Sequence, residues 1–430
     1  MSKVTHYEGA TAGTNLNSGY KRFQAINKLK FVEKWRDVLD GEHQPKNAEN
    51  VLTASNRMRG NAIAVFDVLV PEFDRDSGSV RMLAILQGIA KNNRVVMTSL
   101  KLSNQQNKYI AKLGEIGVEF VAVTKLLKQI KDGKIDFAIL SRPEAAAKFL
   151  DKIRRISPQT QIIYDSVDAH SVRFEREYHL TSEKSSRVKA KKFKEIETSA
   201  ARNSNQVWCV TEQDKVYFQE LAANLNVKIV PNIHSSNGHG KCFAETRDLM
   251  FIGSYAHRPN LDAVIYFLDE IFPLLQKEMP EIRFHVVGSD VPAELASRES
   301  DGVRIEGYVE NVAPLFESCR VFVAPLRYGA GMKGKIGQAL SFGLPTVTTD
   351  IGAEGMNLRH ENEAMIANEP NDFAQAVIKV YQDELLWQKL AANGYKFIAD
   401  NLSATAVETK ITDALDNLKN NKVIVKKDEI

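Results

Sequence analysis

Arg327-Tyr-Gly-Ala-Gly-Met-Lys-Gly-Lys-Ile-Gly-Gln-Ala-Leu-Ser-Phe-Gly-Leu-Pro-Thr-Val-Thr-Thr-Asp350 decides the fold. It reads as strand end, glycine loop, helix, tight turn and strand. Val321-Phe-Val-Ala-Pro325 before it is a short, buried type of strand. Gly329 and Gly331 let the backbone approach a ligand with no Cβ in the way. A helix starting near Met332 presents free N–H groups and a partial positive charge at its mouth. Lys333 and Lys335 add full charge there, which makes a site for a diphosphate. Gln338, seven residues after Gly331, lies on the same helix face, on the order of 10 Å along the axis. An amide there meets a ribose attached to that diphosphate. The next strand, Thr346–Thr349, delivers Gly352-Ala-Glu-Gly355 to the same mouth. The plainer reading is a glycine-rich turn with solvated lysines.

Outward from this stretch, strands and helices alternate through most of the chain. Ala62–Leu69, Arg94–Leu100, Glu119–Val123, Phe137–Leu140, Gln161–Asp165, Gln206–Val210 and Val227–Val230 read as strands. Helices are expected over Ser79–Ala90, Asn104–Leu113, Pro143–Ile156 and about Ser182 to Arg202. After a linker, Pro231–Thr246, the alternation restarts. Strands are expected at Asp248–Ile252, Arg283–Val287, Val303–Glu306 and Val321–Ala324, with a helix over Pro259–Gln276. Helices at Asp372–Tyr381, Leu385–Asp400 and Ala404–Asn420 close the chain. Apolar strands without alternation, separated by helices, indicate parallel sheets buried on both faces. The fold class is therefore α/β, with two Rossmann-like doubly wound domains facing a cleft. The expected boundaries are an N-terminal extension over 1–58, a first domain over 59–235 and a second over 236–430. The last helix is available to pack back on the first domain. In such sheets ligands sit beyond the carboxyl ends of the strands.

Composition bounds the function. The 430 residues hold 43% hydrophobic and 26% charged side chains, and the net charge is +3. This excludes wholesale disorder and gives no nucleic-acid-scale basic bias. No run of about eighteen apolar residues predicts a membrane span. The start, Met1-Ser-Lys-Val-Thr-His, lacks the apolar core of a signal peptide. Cys209, Cys242 and Cys319 have no metal-ligand spacing and fit a reducing compartment, the first and last as small residues buried beside strands. The expected location is cytoplasmic. Two basic runs qualify this. Tyr20–Leu39 reads as a helix with an imperfect apolar stripe (Phe23, Ile26, Leu29, Phe31, Trp35) ringed by lysines and arginines. Lys184–Lys194 holds Lys184, Arg187, Lys189, Lys191, Lys192 and Lys194. A solvated helix face is the plain reading of the second run, and an anionic membrane surface is the sharper one.

Several strand ends collect polar groups. Asp76, Ser77 and Gly78 lie between the first strand and its helix, as a capped turn or as an acceptor contact. Ser141, Arg142 and Glu144 follow the strand ending at Leu140. Asp165-Ser-Val-Asp-Ala-His170 follows the next, with Arg173 and Arg176 beyond. Asp168 and His170 together could orient hydroxyls and handle a proton, or simply cap the following segment. In the second half, His257 and Arg258 stand at a helix start and can add charge to the same anion. Gly307 and Tyr308 end a strand and could face a nucleobase, or Tyr308 could sit in the core.

Taken in order, these motifs resemble a retaining glycosyltransferase of family 4 with the GT-B fold, over about residues 60–420. The likeness is carried by Phe251-Ile-Gly-Ser254 with Pro259-Asn-Leu-Asp-Ala263, by Gly307-Tyr-Val309, by Ala324-Pro-Leu-Arg-Tyr-Gly-Ala-Gly-Met-Lys-Gly-Lys335 and by Gly352-Ala-Glu-Gly355. Asp74-Arg-Asp-Ser-Gly-Ser79, Leu140-Ser-Arg-Pro-Glu144 and Tyr164-Asp-Ser-Val-Asp-Ala-His170 are similar to a bacterial branch of that family. The resemblance implies a nucleotide diphosphate sugar of UDP or GDP type in the C-terminal domain, and a glycan, lipid-linked or protein acceptor on the N-terminal one. It implies that Arg258, Gly329, Gly331, Met332, Lys333 and Gln338 hold the donor, with Gly307 and Tyr308 at the base. It also implies retention, no metal and no other cofactor, because cations and helix termini stabilise the leaving diphosphate. One departure stands out. The family often carries two glutamates seven residues apart across this loop, and the matching positions here are Ala330 and Gln338. Glu354 is the nearest carboxylate to join Asp168 and His170 in the chemistry. The expectation is a hexosyltransferase of polysaccharide or related biosynthesis, cytoplasmic or peripheral on the inner face of a membrane. Its rivals are a non-catalytic nucleotide-sugar-binding subunit and a double-Rossmann nucleotide-sugar epimerase. Dinucleotide oxidoreduction is disfavoured, since neither first strand leads into Gly-x-Gly-x-x-Gly.

Overall fold

The structure is a computed structural model that describes residues 21–42, 60–101, 106–222, 224–235, 237–238 and 240–427. The chain divides into two compact units, Met1–Gly60 and Asn61–Ile430. In the first, two helices, Arg22–Lys34 and Arg36–Glu42, replace the single helix expected over Tyr20–Leu39. The break falls at Trp35, whose φ of −110° and ψ of 17° leave the helical region. Phe23, Ile26, Leu29, Phe31, Val32 and Trp35 are all exposed. Tyr20 and the residues before it, and residues 43–59, lie outside the described residues.

The second unit holds two all-parallel sheets. Strands β1 (Ala62–Asp67), β2 (Arg94–Ser99), β3 (Val118–Phe120), β4 (Phe137–Ser141), β5 (Gln161–Asp165), β6 (Gln206–Cys209) and β7 (Val227–Ile229) run in the order β3-β2-β1-β4-β5-β6-β7. Strands β8 (Arg247–Ile252), β9 (Phe284–Val287), β10 (Val303–Gly307), β11 (Cys319–Ala324), β12 (Thr346–Thr348) and β13 (Met365–Ile366) run β10-β9-β8-β11-β12-β13. Both sheets are doubly wound, as expected. The strand order reverses between β1 and β4 in one sheet and between β8 and β11 in the other. Loops leaving the carboxyl ends of such neighbours splay to opposite faces and open a crevice.

The central strands are buried on both sides. All six residues of β1 and of β2 are inaccessible, and apolar clusters cover each face. Cys209 and Cys319 are buried on β6 and β11, as the composition suggested. In the last helix, Ala404–Lys427, the residues Val407, Ile411, Ala414 and Leu415 recur at helical spacing and join the core of the N-terminal sheet. Gln206 Nε2 donates to the Ala414 carbonyl at 3.2 Å, and Lys91 pairs with Glu408 at 2.6 Å. The chain therefore returns to its first sheet.

Four differences from the expected elements have local causes. Helices Val123–Lys131 and Glu212–Leu221 are not among the expected elements, because short apolar runs do not separate helix from strand. The long helix expected from about Ser182 to Arg202 is present as Lys184–Asn203, and a further helix, His170–Thr181, precedes it. Ser182 between them adopts a left-handed φ of 58° and caps the first. The expected helix Pro259–Gln276 contains a π-turn at Phe267–Ile271. Pro273, lacking an N–H, follows it and breaks the regular ladder. Finally, the helix expected near Met332 begins at Gly334, with Lys333 as its cap residue.

Candidate functional site

At the β1/β4 reversal the backbone turns tightly. Asp76 caps the helix Ser77–Ala90, accepting from Ser79 N at 2.9 Å and from Ser79 Oγ at 2.6 Å. Arg142, with a φ of 71°, is bonded to the buried Asp67 and lies 3.9 Å from Asp76. A Cβ at Gly78 would come within 3.0 Å of the Arg142 guanidinium. Asp76, Ser77, Gly78 and Arg142 are thus brought together as one wall. Glu144 is exposed in the first turn of its helix. Ser141 is placed inside the lobe: it is fully buried and its hydroxyl donates to Asp165 at 3.1 Å. Asp165 is also internal, held by two bonds from Arg81 at 2.8 and 2.9 Å, and Arg81 donates to the Val230 carbonyl as well. These three groups hold strand ends in place.

The next strand end is strained. Val167 has a φ of 64°, costly for a β-branched residue, and Asp168 N closes on the Ser166 carbonyl at 2.8 Å. The turn aims Asp168 at the C-terminal lobe. Its carboxylate meets His170 Nδ1 at 2.7 Å and Arg173 at 2.5 Å. Burial would raise the Asp168 pKa, but Arg173 and His170 overcome it and hold the carboxyl well below its usual range. Burial likewise pulls His170 toward neutrality, yet Asp168 wins and its pKa is raised. Each favours the charged form of the other, which makes Asp168 a poor base and a protonated His170 a hydrogen-bond donor. Phe193, 5.1 Å away between ring centres, backs the imidazole.

The glycine loop comes up against this turn. Gly331, at a φ of 64°, is close enough to Asp168 that a Cβ would lie 2.9 Å from the aspartate's own. At Gly334 a Cβ would meet Ser77 at 2.5 Å, and at Gly355 it would meet Thr211 at 2.8 Å. Arg176, one turn after Arg173, donates to the Gly329 carbonyl at 2.7 Å and to both oxygens of Glu354 at 2.6 and 2.8 Å. Lys333 is buried. Its ammonium donates to the Gly331 carbonyl at 2.9 Å and stands 3.6 Å from Glu354. Burial lowers the Lys333 pKa; burial also pushes Glu354 up, but Arg176 and Lys333 outweigh this and keep it ionised. The mouth expected to receive a diphosphate is here lined by Arg176, Ser77 and Asp168 of the opposite lobe. Lys333 folds back on its own loop.

Lys335 occupies the β8/β11 reversal. It donates to Asn260 Oδ1 at 2.8 Å, and Asn260 Nδ2 donates to the Ser254 carbonyl at 2.7 Å. The amide thereby joins the first glycine turn of this lobe to the helix of the second. Burial, with Lys333 nearby, pulls the Lys335 pKa down to about 8. Arg258 is tied across the lobes, to Glu183 at 2.8 and 2.9 Å and to Glu177 at 3.2 Å. Gln338 and Met332 are half-buried, and the Met332 carbonyl accepts from Asn232 of the linker at 3.3 Å. Gly307, at a φ of 64°, turns the chain after β10. Tyr308 is not in the core: it is 48% exposed, and its hydroxyl donates to Asp74 at 3.2 Å on the cleft's rim. β10 lies two strands from β8, roughly 10 Å across the sheet.

Residues 246–383 match the family model for glycosyl transferases group 1. The matched residues lie within the C-terminal lobe. A 44.6 kDa protein in the cps region of Klebsiella pneumoniae is 27% identical over 173 residues, which are 38% of this chain and 45% of that protein. The chain thus matches under half of that relative's length. Sucrose-phosphate synthase from Thermosynechococcus elongatus superposes with a TM-score of 0.63 at 14% identity, over 84% of this chain and 100% of that one. HepE from Anabaena, solved with UDP and glucose, gives 0.63 at 12% identity, over 82% and 99%. These likenesses establish the GT-B architecture. Within the matched residues, β8 and β11 carry the two glycine turns that Lys335 and Asn260 join.

Lys335 is expected at the diphosphate site beside Lys333, whereas the cross-lobe part of Arg176 and the Asp168 contact of Arg173 are not foreseen. Lys335 is visible in the sequence as a second cation two residues after Lys333. Arg173 and Arg176 are three apart, hence neighbours on one helix face. The signal for them is the helix His170–Thr181, which is not among the expected elements.

Proposed function

We propose that the protein is a retaining glycosyltransferase of family 4 that moves a sugar from a nucleotide diphosphate sugar to a glycan or lipid-linked acceptor without a metal ion. The observation that carries this reading is the meeting of the Gly329–Lys333 loop with Asp168, His170, Arg173 and Arg176 across the two lobes. Chemistry at a cleft needs donor and acceptor groups from both sheets, and the two reversal points supply them.

In this reading the donor diphosphate lies against Lys333, Lys335 and Arg258, with backbone N–H groups of the glycine loop adding hydrogen bonds. Their fixed charge stabilises the departing nucleotide diphosphate, the task a divalent cation performs elsewhere. The acceptor hydroxyl attacks from the face the diphosphate leaves, and the leaving phosphate oxygen takes its proton. Asp168 holds His170 as a cation, leaving Nε2 to donate to a sugar or phosphate oxygen. Arg176 and Glu354 must part, or shift together, for a sugar to reach Lys333. Closure of the lobes then excludes water.

A second reading, a nucleotide-sugar-binding subunit without turnover, rests on Ala330 and Gln338 standing where the family pattern has carboxylates. A thermal-shift screen against UDP- and GDP-sugars, followed by a transfer assay with the donors that bind, tests both. Binding with release of UDP or GDP and appearance of a glycosylated acceptor supports transfer. Binding without turnover on any acceptor favours the subunit, and no shift with any nucleotide sugar contradicts both.

A further inference from the structure

Asp165 and Glu197 are both fully buried, yet they are satisfied differently. Asp165 has the Arg81 guanidinium, whereas Glu197 has hydroxyls and backbone N–H groups. Glu197 extends from the helix Lys184–Asn203 to the start of the helix His170–Thr181. Its Oε1 accepts from His170 N at 2.7 Å and, more weakly, from Ser171 N at 3.4 Å. These are the first two N–H groups of that helix, which its own ladder leaves without partners. Ala169, at the cap position, has no side-chain acceptor to offer. Oε2 lies 2.6 Å from Ser171 Oγ and 2.7 Å from the Tyr217 hydroxyl oxygen, and those two oxygens are 2.5 Å apart. Three oxygens thus close a ring of three hydrogen-bond contacts. Each contact needs a proton, and the serine and the tyrosine bring one each. The third must come from the carboxyl. An ionised Glu197 would leave one edge of the ring as two facing lone pairs away from water.

We infer that Glu197 is a positioning residue for His170: as a neutral acid it caps the helix that carries His170, Arg173 and Arg176, and so fixes the imidazole beside Asp168. Its O–H donates to the Tyr217 oxygen, Tyr217 donates to Ser171, and Ser171 donates back to the carboxyl. Oε1 is then the carbonyl oxygen that holds the His170 N–H. Titratable groups face Glu197 from each element around it: His170 from the capped helix, Asp168 from the turn before it, Tyr217 from the helix Glu212–Leu221 and Tyr164 from β5. Burial has the largest effect and raises the Glu197 pKa, and Asp168 adds to it. The Ser171 and Tyr217 hydrogen bonds and the His170 charge act the other way without overcoming it. Burial also holds Tyr217 above the ordinary phenol value, so it keeps its proton. A neutral Glu197 leaves Asp168 as the carboxylate that pairs with the imidazole, where a second negative charge would compete for it. The kinetic consequence of this assignment rests on the transferase reading, and the cap and the proton do not.

The test compares the full chain with Glu197→Gln, which keeps a carbonyl acceptor and a donor but cannot ionise, and with Glu197→Ala, which keeps neither. Infrared difference spectra of the parent against Glu197→Gln at neutral pH should show the carbonyl band of a protonated carboxyl in the parent. The His170 titration, followed by NMR, should keep its midpoint in Glu197→Gln. In Glu197→Ala it should fall toward the ordinary 6.5 as the imidazole moves off Asp168. In transfer assays Glu197→Ala should lower kcat about tenfold or more with the donor KM little changed, and Glu197→Gln should recover most of that loss. Absence of the protonated band would overturn the inference, as would a His170 midpoint unmoved by Glu197→Ala or equal losses of kcat in the two variants. If Glu197→Ala fails to fold, Tyr217→Phe takes its place, because it opens the ring. The carboxyl band should then shift, and an unmoved band would contradict the ring. If the parent glycosylates no acceptor, the transferase reading fails on its own, while the infrared and NMR results still decide the role of Glu197.

Discussion

Arg176 of the N-terminal lobe and Glu354 of the C-terminal lobe are joined by two hydrogen bonds of 2.6 and 2.8 Å, and the same guanidinium holds the Gly329 carbonyl at 2.7 Å. One side chain therefore fixes both the glycine loop and the carboxylate nearest to it. Any ligand reaching Lys333 must alter this contact, which makes Arg176 the most informative residue to change.

Arg176→Ala should loosen the lobes and lower transfer more than it lowers stability. Both partners are partly open to solvent, 31% and 21% exposed. A double-mutant cycle with Glu354→Ala is therefore expected to show a coupling of about 1 kcal/mol in thermal unfolding, discounted for screening. A coupling near zero would mean that the pair does not hold the lobes together.

Lys335 gives a pH signature. Its folded-state pKa of about 8 lies below the ordinary lysine value of 10.5. Between these values the unfolded chain binds more protons, so this group favours folding increasingly as pH rises from 8 to 10.5. A bound diphosphate favours the charged amine and should reverse the trend for binding. Affinity for UDP is expected to fall above about pH 8, with proton uptake on binding. Calorimetry in buffers of different ionisation enthalpy measures that uptake, and Lys335→Met should abolish it.

His170→Ala should reduce transfer well beyond any loss of donor affinity, as measured by rate constants beside UDP titrations. Because Asp168 raises its folded pKa above 6.5, the pair contributes fully to stability below that value. That contribution is lost as pH rises through the folded pKa. Parent and His170→Ala melting temperatures should therefore converge on going from pH 6 to pH 9. Equal losses of binding and transfer would move His170 from the reacting centre to the donor pocket.

Arg81 and Asp165 are both essentially inaccessible, 1% and 0% exposed. Breaking such a pair strands a charge in the core, so Asp165→Ala should cost about 3–5 kcal/mol in unfolding free energy. Ser141 loses its acceptor at the same time, and Arg81 keeps only the Val230 carbonyl. A loss under 1 kcal/mol in urea denaturation would show that the lobe does not depend on this network.

The glycine loop and the two sheets were legible because their signals are local: consecutive apolar residues, a glycine pair and a helix start within about a dozen positions. Asp76, Ser77, Gly78 and Arg142 were also findable, since a doubly wound order puts β1 and β4 side by side. The cross-lobe partners were not. Arg176 meets Glu354 across 178 positions in sequence, and nothing in either segment specifies the other. Lys333 shows a subtler limit. A helix starting two residues later leaves it in the loop, where its ammonium folds back on the Gly331 carbonyl. Ser141 looked available because it ends a strand, but the buried pair behind it claims its hydroxyl.

Isothermal titration of UDP and GDP into the full chain tests the central claim, that the glycine loop and its lysines grip a nucleotide diphosphate. The expected result is single-site binding of one of the two, weakened about tenfold or more by Lys333→Ala and by Lys335→Met, since each removes a charge-assisted contact. Absence of binding by either nucleotide, or unchanged affinity in both variants, would contradict it.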